Sequence, residues 1–335
     1  MTTNHELATI GCGEEAPSRI RDPVISPQAA KYVLDLAVPL DPSAFPNQPR
    51  SPGRPPPATI PNVQHVLTGY GISIRYDVIK KSLLVTMPGH HGSPDNFDSV
   101  ALTQISSLAL LNGMQMAPVQ GIVEAIGDRN LFNPVSEWIL GRPWDGVDRL
   151  PAFYDTLVER EGYPKALKET LIHRWLLSAV AAAFETSGFS CRGVLTLQGP
   201  QGIGKTKWAS SLISDPTLSK QVIKLGHHLD AADKDSQLTA IAHWIVEIGE
   251  LDGTLKRDIA RLKGFLTGDQ DKIRKPYGRA YSSFARRTVF CATVNDAKFL
   301  VDPTGNSRWW TIPVVNIKYT HDIDMQQLFA QLFEE

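Results

Sequence analysis

Cysteine and long hydrophobic runs are both scarce in this sequence. The 335 residues include three cysteines, Cys12, Cys191 and Cys291, which lie far apart and form no CxxC pair. Their scarcity excludes a disulfide scaffold and a thiolate zinc site, and it is typical of a reducing compartment. The longest apolar run, Trp175–Phe184, is about half of a membrane span. The first residues lack the basic start and apolar stretch of a secretory signal. We therefore expect a cytoplasmic protein that has no membrane partner.

An excess of charge of either sign is also missing. The chain has 34 Lys and Arg against 35 Asp and Glu, for a net charge of −1. This balance excludes a histone-like polycation, so any nucleic-acid surface has to be a local patch. The 42% hydrophobic and 21% charged content is that of an ordinary globular protein.

Proline is unevenly distributed along the chain. Twelve of the 24 prolines lie between Pro17 and Pro61. Because proline lacks a backbone donor and favours extended conformations, this segment is predicted to be a mostly disordered linker. We expect the following regions: 1–61, the Pro-rich linker; 62–130, a small α/β region of uncertain role; 131–190, a helical region; 191–320, an α/β core; and 321–335, a C-terminal helix that is cut short.

Apolar runs alternate with helical segments in the predicted core. The runs are Val194–Leu197, Trp244–Ile248, Thr288–Val294 and Trp309–Val314. Buried strands that are separated by helices predict a largely parallel sheet.

A glycine-rich segment follows the first of these strands and matches G-x4-G-K-[ST]. It comprises Gly199, Pro200, Gln201, Gly202, Ile203, Gly204, Lys205 and Thr206. The glycines let the loop curl so that backbone N–H groups point at phosphate oxygens. Lys205 would reach the β- and γ-phosphates, and the Thr206 hydroxyl would ligate Mg²⁺. The segment predicts ATP and Mg²⁺ as cofactors; the alternative is a glycine-rich turn without a ligand.

Two carboxylates end the next apolar run, at Glu247 and Glu250. One carboxylate beside the loop can hold the water shell of Mg²⁺, and a second can orient the attacking water. We assign Glu247 to the metal and Glu250 to the water, with the reverse order left open. The alternative is that both are solvated acids that close a strand.

Two further polar residues complete the set. Asn295 ends the strand after Arg287, where an amide can hold the lytic water or the γ-phosphate from the far side. Arg308 follows a Gly-Asn turn, at an edge from which it could reach the phosphate of another subunit. As alternatives, Asn295 is a turn residue and Arg308 packs on Trp309 and Trp310.

These elements, in this order, resemble the virulence-associated protein E family from about Asn133 to Asp324. The resemblance includes the Trp144-Asp145-Gly146 turn, the glycine-rich loop, and the runs WIVEIGELDG, DKIRKPYGR and LVDPTGNSRWW. It implies a P-loop NTPase fold of the AAA+ and superfamily 3 helicase kind, which acts with a primase in the DNA replication of phages, satellites or genomic islands. It also implies a ring of identical subunits, a hexamer. The family usually has two arginines after the Gly-Asn turn, whereas here Ser307 precedes Arg308. Arg308 alone can therefore inherit the arginine role.

A basic stretch lies between Lys256 and Arg287, with ten Lys or Arg against three Asp. The aromatic residues Tyr277, Tyr281 and Phe284 are interleaved with these charges and could stack on bases. The stretch resembles the DNA-gripping hairpin of superfamily 3 rings. This resemblance implies contact with single-stranded or forked DNA, and the residues predicted to bind it are Lys272, Arg274, Lys275, Tyr277 and Arg279. The alternatives are a solvated face or a subunit contact.

The residues themselves predict a Mg-ATPase with a basic patch, and the resemblance to the family implies a replicative DNA helicase. Two other functions are compatible with the same residues. One is a nucleotide switch or a phosphotransferase, and the other is an ATP- and DNA-binding interfering factor that does not unwind DNA. Stimulation of ATP turnover by single-stranded DNA would separate them.

Overall fold

The computed structural model describes residues 37–89, 97–249, 259–273, 282–295 and 307–335. The chain divides into two units. The first comprises Met1–Ser73 and Val85–Val123, and the second comprises Ile74–Leu84 and Glu124–Glu335. The division at 123/124 therefore falls inside a helix, seven residues before the predicted boundary at 130/131.

Helices and strands alternate through much of the described chain. The helices are α1 (Ile60–Gly69), α2 (Phe97–Leu111), α3 (Val119–Asp128), α4 (Pro134–Leu140), α5 (Leu150–Tyr154), α6 (Lys165–Phe184), α7 (Lys205–Ser210), α8 (Pro216–Val222), α9 (Lys234–Ile241), α10 (Ile259–Leu266) and α11 (Met325–Glu334). The strands are β1 (Ser73–Asp77), β2 (Ser82–Thr86), β3 (Leu131–Phe132), β4 (Leu157–Glu159), β5 (Val194–Gln198), β6 (Ile223–His227), β7 (Ile245–Ile248), β8 (Gln270–Ile273), β9 (Ser282–Ala285), β10 (Val289–Val294) and β11 (Trp309–Ile317). The prediction of a mixed α/β fold is confirmed.

In the first unit, the segment before α1 has a defined path. Asn62 is buried in α1, where its side-chain Oδ1 accepts from the backbone N–H of Asn47 and its Nδ2 donates to the carbonyls of Asn47 and Pro57. The Phe45 ring is buried and meets His65 edge-on at 4.9 Å. Residues 37–61 thus follow a defined path that these contacts join to α1, although most of their side chains are exposed. Proline has no backbone N–H to donate, but the buried side-chain amide of Asn62 makes hydrogen bonds to this segment instead.

The second unit is built on a six-stranded sheet with the order β4-β11-β5-β10-β7-β6. The five strands from β11 to β6 are parallel, and β4 pairs antiparallel with β11 at the edge. Strands β5, β7 and β10 are buried on both faces, which is why they appear as continuous apolar runs in the sequence. The largely parallel sheet that the sequence predicts is present.

Helix α6 covers one face of this sheet. Its Trp175 donates from Nε1 to the carbonyl of Phe290, and Trp244, just before β7, donates to the carbonyl of Ala179 on α6. Both indole rings are fully buried. The predicted helical region 131–190 thus contains this helix, but also β3 and β4, and β4 belongs to the sheet.

The C-terminal helix α11 is bonded to residues 139–149, which include the Trp144-Asp145-Gly146 turn, through three glutamine side chains. Gln327 accepts from the backbone N–H of Asp145 at 2.8 Å, and Gln331 accepts from that of Arg149 at 3.0 Å. Gln326 donates to the carbonyls of Ile139 and Arg142. The segment predicted as a short terminal helix is therefore a packed part of the second unit.

A membrane-spanning helix is not found among the residues that the structure describes.

Candidate active site

The glycine-rich loop lies at the carboxyl edge of the parallel sheet, directly after β5. The backbone N–H of Gly199 donates to the carbonyl of Val294 on β10 at 3.1 Å, which ties the start of the loop to the neighbouring strand. A Cβ at position 199 would lie 2.4 Å from the carbonyl oxygen of Val314. Gly204 has φ +97°, in the region that glycine adopts without strain. The glycines are therefore required by the loop path itself.

Lys205 begins α7 and folds back over the loop. Its ammonium donates to the carbonyls of Gly199 at 2.7 Å and Pro200 at 2.8 Å, and to the side-chain Oδ1 of Asn295 at 2.8 Å. The residue is 7% exposed. Lys205 and Asn295, which the sequence predicts in one site, are brought into direct contact.

Glu247 lies at the same edge, two strands from the loop strand, and is 0% exposed. Among the described residues, its donors are neutral: the hydroxyls of Thr293 at 2.6 Å and Thr206 at 3.3 Å reach Oε1, and the N–H of Gly226 reaches Oε2 at 2.6 Å. The carboxylate is thus held by hydrogen bonds beside the loop threonine. Hydroxyl and carboxylate oxygens are also the ligands that Mg²⁺ prefers.

Burial and the charge of Glu247 also raise the pKa of the neighbouring Cys291 thiol well above its ordinary value. Cys291 pairs with Glu247 across β10 and β7. A reactive cysteine needs a lowered pKa. Cys291 is therefore an inert part of the sheet.

Arg308 lies at the opposite end of the sheet from the loop. Its carbonyl accepts from the N–H of Val194, at the start of β5, while the loop follows the end of that strand. Its Nε is buried and has no hydrogen-bond acceptor within the described chain. The structure does not bring Arg308 to Lys205 in the same subunit. The predicted water-orienting residue, Glu250, lies outside the described residues.

The basic stretch forms an antiparallel pair, β8 and β9, directly before β10. Lys272 is exposed on β8. The other residues predicted to bind DNA lie outside the described residues: Arg274, Lys275, Tyr277 and Arg279.

Four members of this basic and aromatic stretch are buried, which corrects the count of charges available to DNA. Arg286 is 1% exposed and its guanidinium pairs with both oxygens of Asp271. Arg287 donates to the carbonyl of Ala183, and Lys263 is also buried. Phe284 packs with Ile241 in a small apolar cluster, so its ring is not presented for stacking on bases. Counting charged residues along the sequence does not show which of them are buried.

Three residues near the loop and Glu247 have no role predicted from the sequence. Thr293 is on β10, and Asn295 directly follows that strand two residues later. The period-two alternation of a strand could have placed both on one face. Gly226 could not have been found, because its contact depends on a register shift between β6 and β7. Tyr319 follows β11 and its ring packs on Gly204, with no motif to indicate it.

Comparison with known proteins gives the family of this chain. The family model of the virulence-associated protein E-like domain matches residues 139–335, which is more than half of the sequence. The protein belongs to this family, and the resemblance noted from its motifs is confirmed. No curated protein matches the chain.

Several solved structures are similar to the chain at low identity. The A form apo structure of the NrS-1 C-terminal region is 15% identical with a TM-score of 0.49, over 81% of this chain and 68% of that one. The A form apo structure of region 305–718 is 14% identical with a TM-score of 0.46, over 81% of this chain and 66% of that one. Another apo structure of region 305–718 is 14% identical with a TM-score of 0.44, over 81% of this chain and 66% of that one. The chain thus spans about two thirds of the length of these proteins.

Proposed function

We propose that the protein is a cytoplasmic, Mg-ATP-dependent ATPase with a phosphate-loop core. It drives a DNA helicase step in the replication of a mobile genetic element, alongside a primase. The observation that carries the proposal is the contact of the loop lysine with Asn295, next to a buried glutamate that is bonded to the loop threonine.

The residues at this edge of the sheet have the charges and the metal-ligand oxygens that Mg-ATP requires. The loop places a buried ammonium at the motif position that contacts the β- and γ-phosphates of a nucleotide. Glu247 is a buried carboxylate whose described donors are neutral, which suits a divalent cation. In open α/β sheets, ligands bind outside the carboxyl ends of the strands. The positive and negative groups of this site lie at that edge.

Each residue then has a distinct task in hydrolysis. Lys205 neutralises charge on the β- and γ-phosphates, and Thr206 with Glu247 holds Mg²⁺, which stabilises the charge that develops on the transferred phosphoryl group. Glu250 orients the attacking water. Asn295 already contacts the Lys205 ammonium and contacts the γ-phosphate from the strand side. Arg308 acts on the phosphate of the next subunit in a ring of identical subunits, a hexamer by the resemblance.

The DNA part of the proposal is supported by the antiparallel pair β8 and β9. The pair leads directly into β10, the strand that Asn295 follows. Lys272 is exposed on it. The residues between its strands include Arg274, Lys275 and Arg279. We propose that this hairpin contacts single-stranded or forked DNA.

ATP turnover by purified Lys205→Ala protein tests the nucleotide site. We expect turnover to fall by at least about 100-fold, as for other losses of a preorganised donor to a transition state. Lys220→Ala is the matched control, because Lys220 is exposed on α8 and loses the same charge. Equal turnover in the two variants would refute the site.

The same preparation separates the helicase from the alternatives. For a helicase motor, single-stranded DNA raises turnover and a forked duplex is opened. A protein that binds ATP and DNA without DNA-stimulated turnover is instead a switch or an interfering factor.

A further inference from the structure

Tyr319 lies against the glycine-rich loop, although it is separated from the loop by more than a hundred residues. A Cβ at position 204 would lie 2.3 Å from Cδ1 and 2.6 Å from Cε1 of the Tyr319 ring. One edge of the ring therefore occupies the space where any larger residue at 204 would project. Because Gly204 directly precedes Lys205, the ring is adjacent to the proposed phosphate site.

The backbone around Tyr319 is fixed to the same helix that carries the loop lysine. The N–H of Lys318 donates to the carbonyl of Thr156 at 2.8 Å, and the hydroxyl of Thr156 accepts from the indole of Trp208 on α7 at 2.8 Å. Beyond Tyr319, the His321 ring is 3.2 Å from the hydroxyl of Ser211, just after α7. Hydrogen bonds on both sides of Tyr319 thus connect its backbone to the region of α7.

The ring is positioned to contact a ligand. The residue is 36% exposed, although both of its flanks are anchored. The Lys207 ammonium lies over one face of the ring, at 4.9 Å from its centroid, so a base would stack on the opposite face. A planar, polarisable face beside a phosphate-binding loop is suited to a nucleobase.

We infer that Tyr319 is the residue on which the base of the bound nucleotide stacks. The inference rests on the proposed function, because the phosphates have to be bound at the loop for the base to reach the ring. Stacking uses the π-face and no hydrogen bond of the base, so it favours purines for their area and does not distinguish adenine from guanine. The Tyr319 hydroxyl has no part in it.

Calorimetric titration with two probes tests the inference. The first probe is a non-hydrolysable ATP analogue with Mg²⁺, and the second is inorganic tripolyphosphate with Mg²⁺, which has phosphates but no base. Tyr319→Ala should bind the analogue about 5- to 150-fold more weakly than the wild type. It should bind tripolyphosphate as the wild type does. Tyr319→Phe should retain the wild-type affinity for both.

The possible outcomes separate this inference from the proposed function. Unchanged binding of the analogue by Tyr319→Ala would overturn the base contact. Equal losses for both probes would also overturn it, because the ring would then only support the loop at Gly204. If the wild type binds neither probe, the nucleotide site itself fails and the inference fails with it. Equal melting temperatures for the three proteins establish that the variants are folded.

Discussion

Arg308 provides a prediction about assembly that follows from strand register alone. Trp309 pairs with Val194 in the parallel sheet, so Arg308 is level with residue 193, whereas the loop begins at Gly199. Six residues of strand at about 3.3 Å each separate the two levels by about 20 Å. An arginine side chain cannot cover this distance. Arg308 can therefore reach a nucleotide only in another subunit.

The expected loss of ATP turnover follows from the proposed role of Arg308 as a finger to the next subunit. A finger arginine contributes on the order of 10³-fold or more to turnover, so Arg308→Ala should lose that factor while its ATP affinity is retained. In a ring made by mixing equal amounts of Arg308→Ala and Lys205→Ala subunits, about a quarter of the interfaces pair an intact loop with an intact arginine. The mixture should recover about a quarter of wild-type turnover.

The assay is steady-state ATP hydrolysis per subunit, measured over a range of protein concentrations and for the mixture. For the wild type, turnover per subunit should rise with concentration until rings are complete. If turnover per subunit is independent of concentration and the mixture stays inactive, Arg308 is not a finger. The protein would then act as a monomer.

Two further predictions concern the basic hairpin and its base. Neutralising Arg274, Lys275 and Arg279 together should flatten the log–log salt dependence of single-stranded DNA binding, measured by fluorescence anisotropy, by about 2 units at about 0.7 per contact; an unchanged slope would assign the hairpin to subunit packing. Arg286→Leu should reduce the free energy of unfolding in urea by about 3–5 kcal/mol, because it leaves the buried Asp271 unpaired. Lys272→Ala, an exposed change on the same hairpin, should stay within about 0.5 kcal/mol; similar losses in the two variants would contradict the buried pair.

The elements that the sequence predicts best are those whose signal is local. Strands β5, β7 and β10 are continuous apolar runs, because burial on both faces permits no polar alternation. The placement of Lys205, Asn295 and Glu247 at one edge follows once these strands are parallel, since their carboxyl ends then coincide. That step needs no knowledge of side-chain contacts.

The features that the sequence does not predict depend on long-range contacts. The burial of Arg286 depends on Asp271, which lies across the β8–β9 pair. The fixed path of residues 37–61 depends on Asn62, and nothing in a proline-rich composition indicates a buried amide. Tyr319 is indicated by neither motif nor periodicity, because its position is set where the chain leaves β11 and meets Gly204.

The glutamine ties between α11 and the Trp144-Asp145-Gly146 turn have a consequence for synthesis. The hydrogen bond of Asp145 to Gln327 joins residues 182 positions apart. During translation the turn and the surface of α6 emerge long before α11, and closing so long a loop is slow relative to local structure. Until α11 is made, the apolar surface that Leu328 and Phe329 cover stays open to other chains. The synthesis of the ten-residue helix α11 therefore determines when this apolar surface becomes covered.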